Sequence, residues 1–198
     1  HRCTFNKNIL IKMPPGLQSR GAFGYLLGYL SKALEKMEVC DAAASLGRML
    51  PYLKKHRDEL ISEESTLVME IAKALFHKIP VIYSLANMRS SAIRWKTQIN
   101  ENSKSLSFCG SLPEFNHNEI SGWSEGELRE RCVPIFLYES SSHKLIRRMA
   151  DASMEALHRY GQDVQVVRIR GRTTLQRTLV AVMIGDYVSL YLAHLQGV

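Results

Sequence analysis

The sequence predicts an α/β domain: a three-layer α-β-α sandwich around a five-stranded, mostly parallel sheet. Two observations carry that prediction. Short apolar runs alternate with helical patterns in the order strand, helices, strand, helix, strand, strand, helix, strand, helix, and parallel neighbours require crossovers of that kind. The runs are also apolar at consecutive positions, VPIFL above all, as in strands covered on both faces. A length of 198 residues suits one domain, residues 1–198, with a helical insert at about 41–62.

The elements follow in chain order. Residues 8–13 (NILIKM) form an apolar run closed by Pro14-Pro15-Gly16, a strand ended by a turn. Ser19 then caps a helix reaching about Glu38, with Phe23, Leu26, Leu27, Leu30 and Leu34 at helical spacing. Asp41 caps a second helix, to about Leu60, which Pro51 should kink or split. Ser62 opens a third, to about His77. Residues 79–84 (IPVIYS) make a buried strand, and a long helix starts near Ser90 and ends at Asn102. Residues 106–109 are a short strand, followed by a loop through Pro113 that carries the segment 116–122. Residues 133–139 (VPIFLYE) are a strand. Ser141 or Ser142 begins a helix that runs to Tyr160 and stops at Gly161. Residues 163–169 form the last strand, and Thr173 or Thr174 starts a final helix to about Leu195.

Composition narrows the function. Hydrophobic residues are 45% and charged residues 23% of the chain, ordinary values for a globular protein. The apolar run at 179–184 is interrupted by Gly185 and Asp186, short of the roughly 20 residues a membrane helix needs. The chain opens on His1 without a recognisable signal peptide, so it is expected to begin as a fragment or at the start of an ordered part. Cys3, Cys40, Cys109 and Cys132 form no CxxC pair and are expected to be reduced, mostly buried thiols of a cytoplasmic protein rather than zinc ligands. The net charge of +7 is spread without interleaved aromatics, unlike a nucleic-acid platform. It suits a protein whose substrate carries phosphate.

In open parallel sheets, ligands sit beyond the carboxyl ends of the strands, and four segments there can carry chemistry. Arg20 follows the rigid Pro14-Pro15-Gly16 turn at a helix start, where a cation is unfavourable; it either meets an anionic partner or pairs with a surface carboxylate. In RSSAIRWKTQINEN, residues 89–102, Arg94, Gln98 and Glu101 share one helix face, while Trp95 should lie in the core. Ser90 and Ser91 either cap that helix or bind an anion. Glu119, in HNEISGW, is flanked by apolar Ile120 and Trp123; partial desolvation would suit it as a general base, and a helix cap or surface glutamate is the plain alternative. His117 and Glu119 lack a third group for a metal. His143, after Ser140-Ser141-Ser142, can shuttle protons or simply cap a helix. No Gly-rich phosphate loop, Ser-His-Asp order or HExxH pattern occurs.

Taken together, PPGLQSRGAFGY, KIPVIYS, RWKTQINENSK, LPEFNHNEISGW and SSHKLIRRM, in that order, resemble the bifunctional phosphoglucose/phosphomannose isomerases of archaea and some bacteria. RWKTQINEN followed by HNEI is the most specific part, and the likeness runs from about Ile9 to Val198. The resemblance implies a SIS (sugar isomerase) domain, the second of two in that family. It implies cofactor-free and metal-free interconversion of an aldose 6-phosphate with fructose 6-phosphate. Residue by residue, Glu119 matches the base that moves a proton between C1 and C2 through a cis-enediol. Arg20 matches the arginine that stabilises the intermediate's charge, and His143 the histidine that helps open the sugar ring. In the family that histidine serves the partner subunit's site, which implies a homodimer. A sugar phosphate is thus the expected small-molecule partner, with neither nucleic acid nor membrane.

Two departures matter. The family's phosphate-gripping Ser/Thr loop belongs to the first domain, and its C-terminal threonine and lysine would follow Val198. The isolated chain is therefore expected to show little activity. A SIS module that binds sugar phosphates to regulate or scaffold a partner is the alternative reading.

Overall fold

A computed structural model of the chain describes residues 10–62 and 66–198. Its Cα atoms cluster into two compact units, His1–Tyr52 and Leu53–Val198.

In the first unit the Pro14-Pro15 pair leads into Gly16 at φ +87°, a left-handed position that glycine takes without a Cβ clash. A 3-10 turn, Ser19–Ala22, precedes helix α1, Phe23–Lys36. Arg20 thus stands in the turn before the helix rather than in its first α-helical turn. Helix α2, Ala42–Ile61, begins in this unit and contains Pro51 without being split.

The expected strand at 8–13 is not found: Leu10 to Met13 form no strand, and Asn8 and Ile9 lie outside the described residues. An apolar run becomes a strand only where a neighbour accepts its backbone hydrogen bonds, and among the described residues no strand pairs with Leu10–Met13. The sheet therefore has four strands among the described residues, not five.

The second unit holds that sheet. Helix α3, Leu67–Leu75, starts later than expected; Ser62 does not open it, and Glu63 to Ser65 lie outside the described residues. Then come β1, Ile79–Ser84, a 3-10 turn at Ala86–Met88, and α4, Arg89–Asn102. Strand β2, Phe108–Ser111, lies two residues later than expected. The supposed loop after it is two short helices, α5 (Glu114–His117) and α6 (Glu119–Glu125), followed by a 3-10 turn at Glu127–Arg131. Strand β3, Cys132–Glu139, helix α7, Lys144–Arg159, strand β4, Gln165–Ile169, and helix α8, Thr174–Gln196, complete the chain. The strand order is β2-β1-β3-β4, with all pairings parallel.

Each sheet face has its own layer. Val81, Tyr83, Phe136 and Tyr138 point one way by alternation, and Tyr83, Phe136 and Tyr138 cluster with Phe115, Trp123, Met154 and Leu157 from α5, α6 and α7. Ile82, Ile135 and Leu137 on the other face are buried, on the side taken by α4 and α8. Helix α8 is long and apolar enough, by length and composition, to cross a membrane. It is a core helix, with Leu179 to Val182, Ile184, Val188 and Leu192 buried. Thr173 and Gln176 form a reciprocal capping box at its start, and Gly197 closes it at φ +72°.

The α4–α8 seam explains RWKTQINEN. Trp95 is fully buried, as expected, and its indole N–H donates to the Ala181 carbonyl at 2.7 Å. Arg94 grips Asp186 with two bonds of 3.1 and 3.0 Å. Asn102 donates to the Ser189 hydroxyl, and Ser103 to the Ser189 carbonyl. Ser91 donates to the Thr178 carbonyl, so it neither caps α4 nor faces an anion; the N-cap position is Met88, and no side chain caps the helix. The polar face of α4 is largely spent on its neighbour.

The thiols also differ from expectation. Cys40 is exposed, and Cys109 and Cys132 are half-buried, because these last two lie on an edge strand and at a strand start. Cys3 lies outside the described residues.

Where the helices cross, Gly185 leaves room for the Trp95 ring: a Cβ there would fall within the indole. Gly185→Ala should cost roughly 3 kcal/mol, the upper part of the usual overpacking range. A lowered urea midpoint at unchanged slope would show it; an unchanged midpoint would mean the indole can step aside.

Candidate functional site

The α6 helix starts where α5 breaks at Asn118, whose backbone leaves the helical region at φ −133°. Phe115 anchors α5 in the core, and Ile120 and Trp123 pack α6 against the aromatic cluster. Glu119 and Trp123 are four residues apart, so their side chains share one face of the helix. Both reach the same atom. The Tyr83 hydroxyl donates to Glu119 Oε2 at 2.9 Å, and the Trp123 indole N–H donates to that hydroxyl oxygen at 3.0 Å.

Tyr83 itself is 1% exposed. Its ring lies 4.4 Å from that of Phe115 and 5.4 Å from that of Phe136, centroid to centroid. Burial pushes its phenol far above the ordinary tyrosine value, and the nearby Glu119 charge adds to this. The hydroxyl therefore stays protonated, and is a fixed donor.

Gly110 on β2 provides the floor. A Cβ there would stand 2.9 Å from Glu119 Oε1 and 3.0 Å from Tyr83 Cε1. The carboxylate is thus laid between a phenol hydroxyl and bare backbone. Although Glu119 is an exposed residue, contrary to the expected desolvation, its carboxylate is held in place. Exposure follows from its position at the first residue of a short helix, on the outer margin of the layer.

Glu119 lines a cavity of about 510 Å³ with Val81, Tyr83, Phe108, Trp123 and Cys132 among its walls. Phe108 and Cys132 begin their strands, so this cavity runs along the sheet face rather than only beyond the carboxyl ends. Burial raises the Cys132 thiol above its usual value. Arg129, also on the wall, donates to the Trp123 and Ser124 carbonyls and closes off α6.

The carboxyl ends of the strands carry a second constellation that the sequence did not suggest. Glu139, at the end of β3, is wholly buried. Arg177 Nε donates to its Oε2 at 2.9 Å. The Ser142 hydroxyl and the Asn87 amide donate to Oε1 at 2.9 and 3.3 Å. Arg177 also donates to the Gly171 carbonyl and the Thr174 hydroxyl. One carboxylate and one guanidinium thereby tie together the connections after β1, β3 and β4. A charge pair this deep needs further hydrogen bonds to hold, and here both carboxylate oxygens and all three guanidinium nitrogens have a partner.

His143 follows Ser142 directly and is exposed. It is the N-cap of α7, its Nδ1 accepting from the Leu145 N–H at 3.2 Å. In the neutral ring that bond assigns the proton to Nε2. His143 does not line the Glu119 cavity, and Arg20 belongs to the other unit. His117 is exposed, and no metal-binding group of acidic, histidine or cysteine residues occurs among the described residues. Sequence reasoning names Trp123 only as an apolar flank of Glu119, because HNEISGW reads as a loop, and misses Tyr83 and Gly110, which lie on other elements; the four-residue spacing of Glu119 and Trp123 is the available signal.

Residues 64–198 match the family described as bacterial phospho-glucose isomerase C-terminal SIS domain. Over 190 residues, 95% of its length, the chain is 34% identical to the bifunctional phosphoglucose/phosphomannose isomerase of Aquifex aeolicus, and covers 56% of that protein. It is 31% identical over 94% of its length to the enzyme of the same name from Caldicellulosiruptor bescii, covering 57% of it. The chain therefore spans little more than half the length of these relatives. The fold is similar to that of a glucose-6-phosphate isomerase like protein from Thermus thermophilus, with a TM-score of 0.64 at 18% identity, covering 94% of this chain and 64% of that one.

Two substitutions probe the geometry. Arg177→Ala should destabilise the domain by about 3–5 kcal/mol, because it strands a buried carboxylate; a chemical denaturation curve measures this, and a loss below about 1 kcal/mol would contradict it. Gly110→Ala should push the Glu119 carboxylate off the Tyr83 hydroxyl, since the flexible acid yields before the clamped ring. A crystal structure of the variant shows whether the 2.9 Å bond survives.

Proposed function

The chain belongs to the bacterial phospho-glucose isomerase C-terminal SIS domain family, and on that premise we propose that it carries the proton-transfer part of a sugar-phosphate aldose–ketose isomerase. The observation that carries this reading is the held carboxylate of Glu119 on a cavity wall. The names of the relatives, bifunctional phosphoglucose/phosphomannose isomerases, support the substrate class: glucose 6-phosphate, and mannose 6-phosphate, interconverted with fructose 6-phosphate.

In this mechanism the open-chain aldose loses its C2 proton to Glu119. The C2–H electron pair forms the C1–C2 double bond of a cis-enediol, and the carbonyl oxygen at C1 gains a proton. Return of the proton from Glu119 to C1, with loss of the O2 proton, gives the ketose. Hydrogen moves as a proton between adjacent carbons, so the reaction involves no net oxidation and calls for no electron carrier. A general base placed this way contributes about 10²- to 10⁴-fold. Arg20 stabilises the negative charge that develops on the enediol oxygens. His143 opens the pyranose ring by giving a proton to the ring oxygen; its outward Nε2 is compatible with that task. In our reading His143 serves the site of a second copy, so the active form is a homodimer. The protein acts in the cytoplasm, in carbohydrate metabolism at the level of glycolysis and gluconeogenesis.

Glu119→Gln tests the mechanism in the full-length protein. The amide keeps the shape but not the basicity, so solvent deuterium should no longer enter C2 of glucose 6-phosphate, while sugar-phosphate binding persists. Exchange at more than about a hundredth of the wild-type rate, given the contribution expected of a general base, would remove Glu119 from the mechanism.

A further inference from the structure

A general base works only if its carboxylate points at the proton it removes, and Glu119 is exposed on a seven-residue helix. Left alone, such a side chain samples several rotamers. Three features restrict this one. The Tyr83 hydroxyl binds Oε2, Oε1 rests over the bare backbone of Gly110, and Trp123 holds the phenol oxygen from the other side. The clamp is itself rigid: Tyr83 is packed among Phe115, Phe136 and Trp123. Its hydroxyl cannot turn toward water, because burial leaves it no other outlet.

The groups that fix the carboxylate come from three elements: Tyr83 from β1, Gly110 from β2 and Trp123 from α6 itself. Arg129, in the turn after α6, is bonded to carbonyls of that helix. The tyrosine supplies one donor, to one oxygen. That bond leaves the other lone-pair directions of the carboxylate for a substrate proton.

We propose that Tyr83 is a positioning residue for Glu119, with Trp123 setting the direction of its hydroxyl. This rests on the reading of Glu119 as the base. Tyr83 neither gives up its proton nor touches the sugar; it acts through the carboxylate. Its loss should therefore slow proton transfer while leaving substrate binding alone, and a merely structural tyrosine would do neither selectively.

The test uses Tyr83→Phe, which removes one oxygen and preserves the packed ring, in the full-length protein. A hydrogen bond to a charged group corresponds to roughly 10- to 100-fold, so kcat should fall by that factor with KM changed less than about twofold. The isotope effect with substrate deuterated at C2 should rise, because proton transfer becomes slower relative to the other steps. Trp123→Phe, which frees the phenol without removing it, should give a smaller fall in the same direction. In the Glu119→Gln background Tyr83→Phe should cause no further loss, since the two residues act as one unit. Wild-type kcat and isotope effect in Tyr83→Phe, beside an inactive Glu119→Gln, would overturn the positioning role and leave the base in place. An additive loss in the double variant would equally overturn it, by showing that Tyr83 acts elsewhere. An active Glu119→Gln protein, by contrast, would sink the base assignment itself. If Tyr83→Phe proves too unstable to assay, the Trp123→Phe comparison decides on the same readouts.

Discussion

A phenol hydroxyl buried on the face of a parallel sheet must find a polar partner, and much of this domain's candidate site follows from that requirement. An unsatisfied hydroxyl at such a place costs about 1–3 kcal/mol. Tyr83 meets the demand by donating to Glu119 and accepting from Trp123. Both partners lie on α6, so satisfying one strand residue docks a helix too short to be stable alone. The same bonds that complete the core also hold an exposed carboxylate over a cavity. Stability and the orientation of the proposed base are here a single arrangement.

The carboxyl end of the sheet is organised by a different device. Glu139 and Arg177 are charged residues inside the protein that pair with each other and reach partners in the connections after β1, β3 and β4. A hydrophobic pair of similar volume could stabilise as well, but it could not bind three connections at once through directional bonds. The loop that carries His143 is anchored through the hydroxyl of its neighbour Ser142. The α4–α8 seam is a third use of polar chemistry, in which Arg94, Asn102 and Ser103 are spent on the neighbouring helix. The segment most specific to the family resemblance is thus largely a packing surface. Its specificity reflects how closely a tryptophan, a glycine and an ion pair must fit together.

Membership of the SIS domain family accounts for the parallel sheet. The two relatives are nearly twice as long as the matched region. Within the proposed mechanism the chain contributes a base held in position, a histidine that caps α7 and an arginine in the turn before α1. Of these, only Glu119 is built into the wall of the sheet-face cavity.

By itself the sequence determined the class of the fold, because consecutive apolar runs separated by helical periods have few other ways to bury their backbones. It also supplied the residue types of the proposed mechanism: a glutamate, a histidine and an arginine in recognisable segments. Two of the errors in the layout share a cause. Residues 8–13 have strand composition, and residues 106–107 extend a strand pattern, but a strand exists only where a neighbour pairs with it. Composition carries no information about neighbours. For the same reason the tyrosine beneath Glu119 was invisible, lying 36 residues earlier in the chain, and the Glu139–Arg177 tie spans 38 residues. Local pattern reports which face of an element is apolar. Only tertiary packing decides which polar group on a second element meets it, since that depends on strand order and register.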